Sequence, residues 1–460
     1  MGLLKAFVVP HPPLIVSEVG KGSENQVIKT IEAYKKVADE IANLKPDTII
    51  ISSPHAQVYN DYFHIYPNSE AYGSFEDFGA PNVTFKETYD EELVREISLI
   101  ARENNFPAGT YGEKDPKLDH GTMVPLYFIE QKYKDFKLVR IGLSNLSELE
   151  HYHLGEIIKE AINKLDRKVV YVASGDLSHR LQPDGPYGIT DEGIEYEKDI
   201  MNDLSNASFD KLLNYDEKLL SNAGICGHHS FIIMAGVLDG LNVEVETLSH
   251  EDITGVGYGI CIYTPKDENK DRCFRKIYLT SEENRLNERY KYVDDYIKLA
   301  RSTINEYIKT GNIIDIPEDI NKELLNNQAG VFVTIHKFNK LRGCIGTIIP
   351  TRKNIATEII YNAISASTED YRFNPIVEEE LPYLDINVDV LGPIEDISGR
   401  DELDPKRYGV IVYTDTKRGL LLPDLEGIDT VDEQIEIAKR KGNITYENYK
   451  LQRFEVIRHK

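Results

Sequence analysis

The first half of this 460-residue chain predicts an α/β fold, a β-sheet covered by helices. Three observations predict it. Short apolar, β-branched runs alternate with longer stretches whose apolar residues recur at helical spacing. Several short runs end abruptly in Pro, Ser, Gly or Asp, residues that close strands and open turns. The balance of 41% hydrophobic and 28% charged residues is that of ordinary globular domains.

In order, Leu4–Val9 reads as the first strand and stops at Pro10-His11-Pro12-Pro13. It is apolar enough for a secretion signal but has no small-residue cleavage site, so a buried strand is expected. Gln26–Ala42 has helical spacing. Thr48–Ile51 is the second strand and ends in Ser52-Ser53-Pro54-His55. Glu91–Glu103 is a helix. Lys137–Ile141 and Val169–Ala173 are strands, the latter running into Ser174-Gly175-Asp176. His229–Leu238 is an apolar helix, and Val243–Leu248 and Gly257–Tyr263 close the sheet.

A chain of this length exceeds one hydrophobic core, so at least two domains are expected. Lys266–Lys276 (KDENKDRCFRK) is charged and poor in apolar residues, which reads as a linker. It places the boundary near residue 270 and the domains at 1–268 and 275–460. Beyond it, Tyr292–Thr310 is an amphipathic helix, and Val331–His336, Ile386–Leu391 and Val410–Tyr413 are strands.

The formal charge is −24, from 53 basic and 77 acidic residues. Such a surface repels phosphate backbones and anionic lipid, so neither nucleic acid nor a membrane is an expected partner. No apolar run reaches the ~18 residues of a membrane span. Cys226, Cys261, Cys273 and Cys344 form no CxxC pair, which fits a reducing cytoplasm.

The histidines carry the functional signal. His11 and His55 each follow a strand directly, and His179 follows one after a short turn. Open α/β sheets bind ligands at the carboxyl ends of their strands, so these three converge on one crevice. His120 sits in a polar turn before an apolar run, and His228-His229 opens an apolar helix that can project into the same crevice. Neutral imidazole is a common ligand for iron, zinc and copper. A single histidine at a strand end is usually a hydrogen-bonding turn residue; five at element ends point to a metal site. His64, His151 and His153 lie in polar surroundings and read as surface residues, while His250 is undecided.

The strings Val9-Pro10-His11-Pro12-Pro13, Ser53-Pro54-His55, Leu118-Asp119-His120-Gly121 and Ser174-Gly175-Asp176-Leu177-Ser178-His179 resemble the LigB-type class III extradiol ring-cleavage dioxygenases. They resemble the MEMO-like relatives of that family less closely. The resemblance covers roughly the first 265 residues. It implies that His11 and His55 ligate a non-haem Fe(II), with Zn also suited, and that His179 is the acid/base residue with His120 beside substrate and O2. It implies an aromatic diol substrate, oxygenase chemistry and a mild expectation of a homo-oligomer.

The family usually adds a glutamate ligand. Here the aligned stretch, Ala223-Gly224-Ile225-Cys226-Gly227-His228-His229-Ser230, has no carboxylate. His229 or His228 would give a three-histidine site; Cys226 and Glu251 are the other options. Tyr59, Tyr62, Phe63 and Tyr187 are candidate pocket residues, Tyr187 the best of them.

In the second domain Leu341-Arg342-Gly343-Cys344-Ile345-Gly346-Thr347 stands out. The glycines permit a tight turn, Arg342 would favour a thiolate, and His336 is a candidate base, so Cys344 is a candidate nucleophile. The plainer reading is a buried cysteine in a turn. That string, with Tyr371-Arg372-Phe373-Asn374-Pro375, Arg418-Gly419-Leu420-Leu421-Leu422-Pro423 and Val431-Asp432-Glu433-Gln434, resembles the AMMECR-type domain from about residue 275 onward. The resemblance implies an α+β fold around an antiparallel sheet. The pairing of the two domains resembles part of the AmmeMemoRadiSam system, which implies a radical-SAM protein as a separate partner.

Three functions follow as expectations: a metal-dependent dioxygenase, a metal-binding component without oxygenase activity, and a Cys344-dependent transferase or hydrolase.

Overall fold

The computed structural model describes residues 2–425, 427–445 and 448–460. The chain divides into two units, Met1–Ile277 and Tyr278–Lys460.

The main elements of the first unit are β1 (Leu3–Val9), α1 (Ile28–Leu44), β2 (Thr48–Ser53), β3 (Glu70–Phe75), β4 (Ala80–Thr88), α2 (Glu91–Glu103), α3 (His120–Ile129), β5 (Lys137–Gly142), α4 (Glu148–Leu165), β6 (Val169–Ser174), α5 (Asp191–Ser205), α6 (His228–Val237), β7 (Leu241–Glu251) and β8 (Tyr258–Glu268). The central sheet has the order β5-β2-β6-β1-β8-β7. β5, β2, β6 and β1 run parallel, while β8 and β7 are antiparallel. Every residue of β2 and β6 is buried, as strands covered by helices on both faces must be. On one face Phe7, Val9, Ile49, Ile51, Val170 and Val172 pack with α1 and α3. β2, β6 and β1 are neighbours, so their carboxyl ends open side by side.

The charged stretch Lys266–Lys276 is not a loose linker. β8 continues to Glu268, a short turn follows, and α7 (Phe274–Tyr290) starts almost at once. The division between the units falls inside α7. Only Leu286 and Tyr290 of that helix are buried. A charge-rich sequence suits any solvated element, and composition alone did not separate a helix from a loop.

The second unit contains α8 (Asp295–Thr310), β9 (Val331–Lys337), β10 (Lys340–Gly346), α9 (Ile355–Thr368), β11 (Leu384–Leu391), β12 (Glu395–Ile397), β13 (Gly409–Tyr413), β14 (Arg418–Leu421), α10 (Val431–Lys441), β15 (Lys450–Phe454) and β16 (Val456–His459). They form two antiparallel sheets, β10-β9-β11-β16 and β12-β15-β13-β14. α8 and α9 bury the first sheet and α10 the second, an α+β arrangement.

One buried acid makes stability pH-dependent. Glu87 on β4 lies near Glu130, the residue that ends α3, and burial together with that carboxyl pushes Glu87 up to about 8. The folded state therefore keeps a proton that the unfolded chain loses. Its contribution is fully present below the ordinary value of 4.5 and is lost as the pH rises to about 8. Glu87→Gln is expected to stabilise the protein by about 1 kcal/mol near pH 9 and to do little near pH 4. Thermal melts at both pH values check this; an equal effect at both would contradict it.

Candidate metal centre

β1, β2 and β6 deliver the site. His11 lies two residues past β1, His55 two past β2, and Asp176 and His179 in the turn after β6. Cys226 comes from the turn before α6. His11, His55 and Cys226 each offer a ligand atom, and these atoms lie within 4.8 Å of one another; so do those of Asp176, His179 and Cys226. His11 Nε2 is 3.0 Å from His55 Nε2 and 3.5 Å from Cys226 Sγ. Two imidazole nitrogens and a sulfur at such separations can surround one ion at bond lengths of about 2.0–2.3 Å. His11 is buried, Cys226 half-buried and His55 exposed, so the set is open on the His55 side.

The tautomer of His11 follows from its partners. Ser174 Oγ donates to the Gly121 carbonyl at 2.5 Å. Its single proton is thereby used, so at 2.9 Å it must accept from His11 Nδ1–H. That leaves the lone pair of His11 on Nε2, facing His55 and Cys226. Such outer hydrogen bonds orient metal-ligating histidines. The backbone N–H of His11 donates to Asp176 Oδ1 at 2.8 Å.

The turns carrying Asp176 and Cys226 are locked together. Gly227 N–H donates to the Asp176 carbonyl at 3.0 Å, and Asp176 N–H donates to Cys226 Sγ at 3.3 Å. A Cβ placed on Gly175 would lie 2.1 Å from the Cα of Gly227, so the two backbones touch where only glycine fits.

Burial keeps the imidazoles neutral, the form that ligates metals. His11 lies well below its ordinary value through burial and then through His55, His120 and His179. Burial likewise lowers His55, and brings His120 and His179 to about 4. Burial lifts Asp176 to about 7 and raises the Cys226 thiol, to which Asp176 adds. A bound cation would reverse the last effect and favour the thiolate.

His179 Nε2 is buried with no hydrogen-bond partner among the described residues, 3.8 Å from Asp176 Oδ2. Tyr187 stacks on His179 with ring centroids 5.1 Å apart. His120, the first residue of α3, lies over His55 at 3.9 Å between centroids. Asp119 fixes that relation. It caps α3, accepting from Thr122 N–H at 3.0 Å and Thr122 Oγ1 at 2.9 Å, and takes the Ser53 hydroxyl at 2.5 Å from the end of β2. Asp119→Ala is expected to cost about 3 kcal/mol through the lost cap and charge-assisted bonds. Chemical denaturation checks this; wild-type stability would contradict it.

Five expectations need correction. His228 is buried with both ring nitrogens occupied, Nδ1 at 3.1 Å from Tyr196 Oη and Nε2 at 3.0 Å from the Leu212 carbonyl. His229 stacks on His151 at 4.0 Å, its Nε2 3.8 Å from Glu148. Glu251 holds the Thr30 amide and hydroxyl at the start of α1. None of these three joins the His11–His55 pair; Cys226 does. His64 and His151, expected on the surface, are buried. His151 is polar only locally: its nitrogens serve Ser147 and Ser144 inside the fold.

Of the pocket candidates, Tyr187 reaches the site. Tyr59 and Tyr62 accept backbone N–H bonds from Glu113 and Tyr111, and Phe63 is core. Sequence alone gives Asp176, Asp119 and Ser174 no role, although SGDLSH and LDHG carry three of the site's polar supports. A cleft of about 370 Å³ adjoins His55 and His120.

Cys344 lies on β10, within a strand instead of a tight turn. Its sulfur is 3.3 Å from Thr334 Oγ1, and burial raises its thiol. Arg342 does not act on it, being bonded to Glu380 at 2.8 and 2.9 Å. On β9 it is Thr334 that sits opposite Cys344, while His336 is opposite Leu341; Arg372 and Lys441 are nearby cations.

The family model for the catalytic LigB subunit of aromatic ring-opening dioxygenase matches residues 5–261. The chain belongs to the LigB family. A second model, AMMECR1, matches residues 297–459, so this LigB protein carries an AMMECR1 domain in its second unit. It is 40% identical to a protein of Clostridium acetobutylicum over 480 aligned positions, covering all of both chains. A Thermotoga maritima protein is 48% identical over 168 positions, 36% of this chain and 97% of that one. The solved structure of an uncharacterized protein from Pyrococcus horikoshii shares 32% identity at a TM-score of 0.34, over 36% of this chain and 90% of that one. No helix among the described residues of the LigB protein is long and apolar enough to cross a membrane.

Proposed function

We propose that the LigB unit is a metal-dependent, oxygen-using enzyme of the extradiol type acting on a catechol-like diol. The observation behind it is the His11–His55–Cys226 donor set at the strand ends, open beside a cleft. His11, His55 and Cys226 would hold the metal, which this reading takes as Fe(II), with Zn(II) also suited to the donors. Bound Fe(II) would supply redox electrons and hold diol and dioxygen together. The thiolate brings one negative charge, as the family's usual glutamate does.

The chain's own residues handle the protons. His179 is neutral and its buried Nε2 has no partner among the described residues, so it can take a phenolic proton. Asp176 Oδ2 lies 3.8 Å from that nitrogen, and in its ionised form it would stabilise the imidazolium that results. His120, also neutral, faces the substrate side of His55 and offers a polar contact there. The test is metal analysis of protein purified without oxygen, then oxygen uptake with catechols. Near-stoichiometric iron and uptake matched by diol loss are expected, with uptake abolished in His179→Gln. An iron-loaded protein that consumes no oxygen with any catechol would refute the reading.

A second reading is favoured by the sulfur donor and the AMMECR1 domain: a metal-binding component, without oxygenase chemistry, that assembles with a radical-SAM protein. It expects bound metal, no oxygen uptake and co-purification with that partner.

A further inference from the structure

Cys226 belongs to two donor sets at once. His11, His55 and Cys226 form the first, and Asp176, His179 and Cys226 the second. Within each set the ligand atoms lie within 4.8 Å of one another, and the sulfur is the donor the two share. The second set comes from two turns, the one after β6 and the one before α6. Backbone bonds fix the spacing of those turns: Gly227 N–H donates to the Asp176 carbonyl at 3.0 Å, and Asp176 N–H to the sulfur at 3.3 Å.

The other two donors of the second set have free lone pairs. His179 Nε2 is buried and takes no hydrogen bond among the described residues. Asp176 is only 7% exposed. Its Oδ1 accepts from the His11 amide at 2.8 Å, and its Oδ2 takes no hydrogen bond among the described residues. The two free atoms stand 3.8 Å apart, too far for a hydrogen bond to each other. Buried polar atoms without a partner call for a water or an ion. Metal–nitrogen and metal–oxygen bonds of about 2.0–2.2 Å can meet across such a gap, with the sulfur at about 2.3 Å as the third donor. Imidazole, carboxylate and thiolate are the donors zinc takes.

We infer that Asp176, His179 and Cys226 form a second divalent-cation site, bridged by the Cys226 thiolate to the ion on His11 and His55. The inference rests on His11, His55 and Cys226 holding the first ion; it does not need the oxygenase chemistry. Paired catalytic ions sit about 3.5–4 Å apart, a separation that one shared sulfur spans. A single thiolate then serves two cations that repel each other, so the second ion binds more weakly than the first. That ion would take the same Nε2 lone pair that accepts the phenolic proton in the reading above. Under that reading oxygen uptake needs the second set empty, and excess divalent metal is inhibitory.

The metal-free full chain is titrated with Zn(II) in the absence of oxygen, with calorimetry for the affinities and native mass spectrometry for the number of bound ions. The native chain should take up two ions, the second more weakly. At the zinc concentration that fills the native chain, His179→Gln and Asp176→Asn should each hold one. The ion they retain reports an intact fold, and asparagine keeps an oxygen for the His11 amide. Uptake of a single ion by the native chain, or a second ion retained in either variant, overturns the inference and leaves the first site standing. Loss of both ions from a variant that still melts cooperatively also overturns it, because the five donors would then serve one centre. No uptake by the native chain overturns both the inference and the metal reading beneath it.

Discussion

Cys226→Ser should lower metal affinity at least about a hundredfold. Loss of outer hydrogen bonds around a metal site alone costs about 10- to 100-fold, and a lost ligand costs no less. The hydroxyl has almost the volume of the thiol but does not ionise near neutral pH, so the variant separates charge donation from packing. His11 and His55 stay in place, held by Ser174, Asp176 and Ser53. Competition against a chromophoric chelator measures the change. His229→Ala and His228→Gln are the informative controls. Both should bind metal as the native chain does, because neither nitrogen set faces the His11–His55 pair. Retained affinity in Cys226→Ser together with loss in His229→Ala would restore the three-histidine arrangement and reject the one described here.

Gly175→Ala should be damaging to both stability and metal binding. The new methyl would overlap the Cα of Gly227, a backbone atom that cannot rotate away as a side chain can. Overpacking of this kind costs about 3 kcal/mol when the surroundings yield, and here yielding means separating the Asp176 and Cys226 turns. Denaturant midpoints and chelator competition would read the two effects. An unchanged midpoint would show that the turns are not in the contact described. Thiol reactivity gives a second check, since a displaced Cys226 should alkylate faster than in the native chain.

Much of the first unit was legible in the sequence because its strands are buried on both faces. β2 and β6 carry continuous apolar runs, β1 and β5 are interrupted by Lys5 and Arg140, and the polar residues that end them fall at the crevice. His11, His55, His120 and His179 were therefore placed together by position alone. The third donor was not legible in the same way. Cys226 and His228-His229 are adjacent in sequence, and either could have faced the crevice; the helix beginning at His228 turns its histidines toward Tyr196 and His151. Composition was also silent on α4, whose buried His151 looks like a surface residue among polar neighbours. In the second unit, Gly343 and Gly346 suggested a turn around Cys344, yet both lie in a strand, where Gly343 permits close packing on α9.

The spacing of the proposed donors bears on how an ion would be acquired. His11 and His55 are 44 residues apart, and His11 and Cys226 are 215 apart. A nascent chain leaving the ribosome cannot assemble these three atoms until the strands on which two of them ride have paired and α6 has docked. On the proposed ligand set, ion capture would therefore follow folding. Excess free ion at a thousand times its dissociation constant would shift the folding equilibrium by about 4 kcal/mol. By the same linkage, an ion bound at the proposed set would lengthen the proteolytic lifetime.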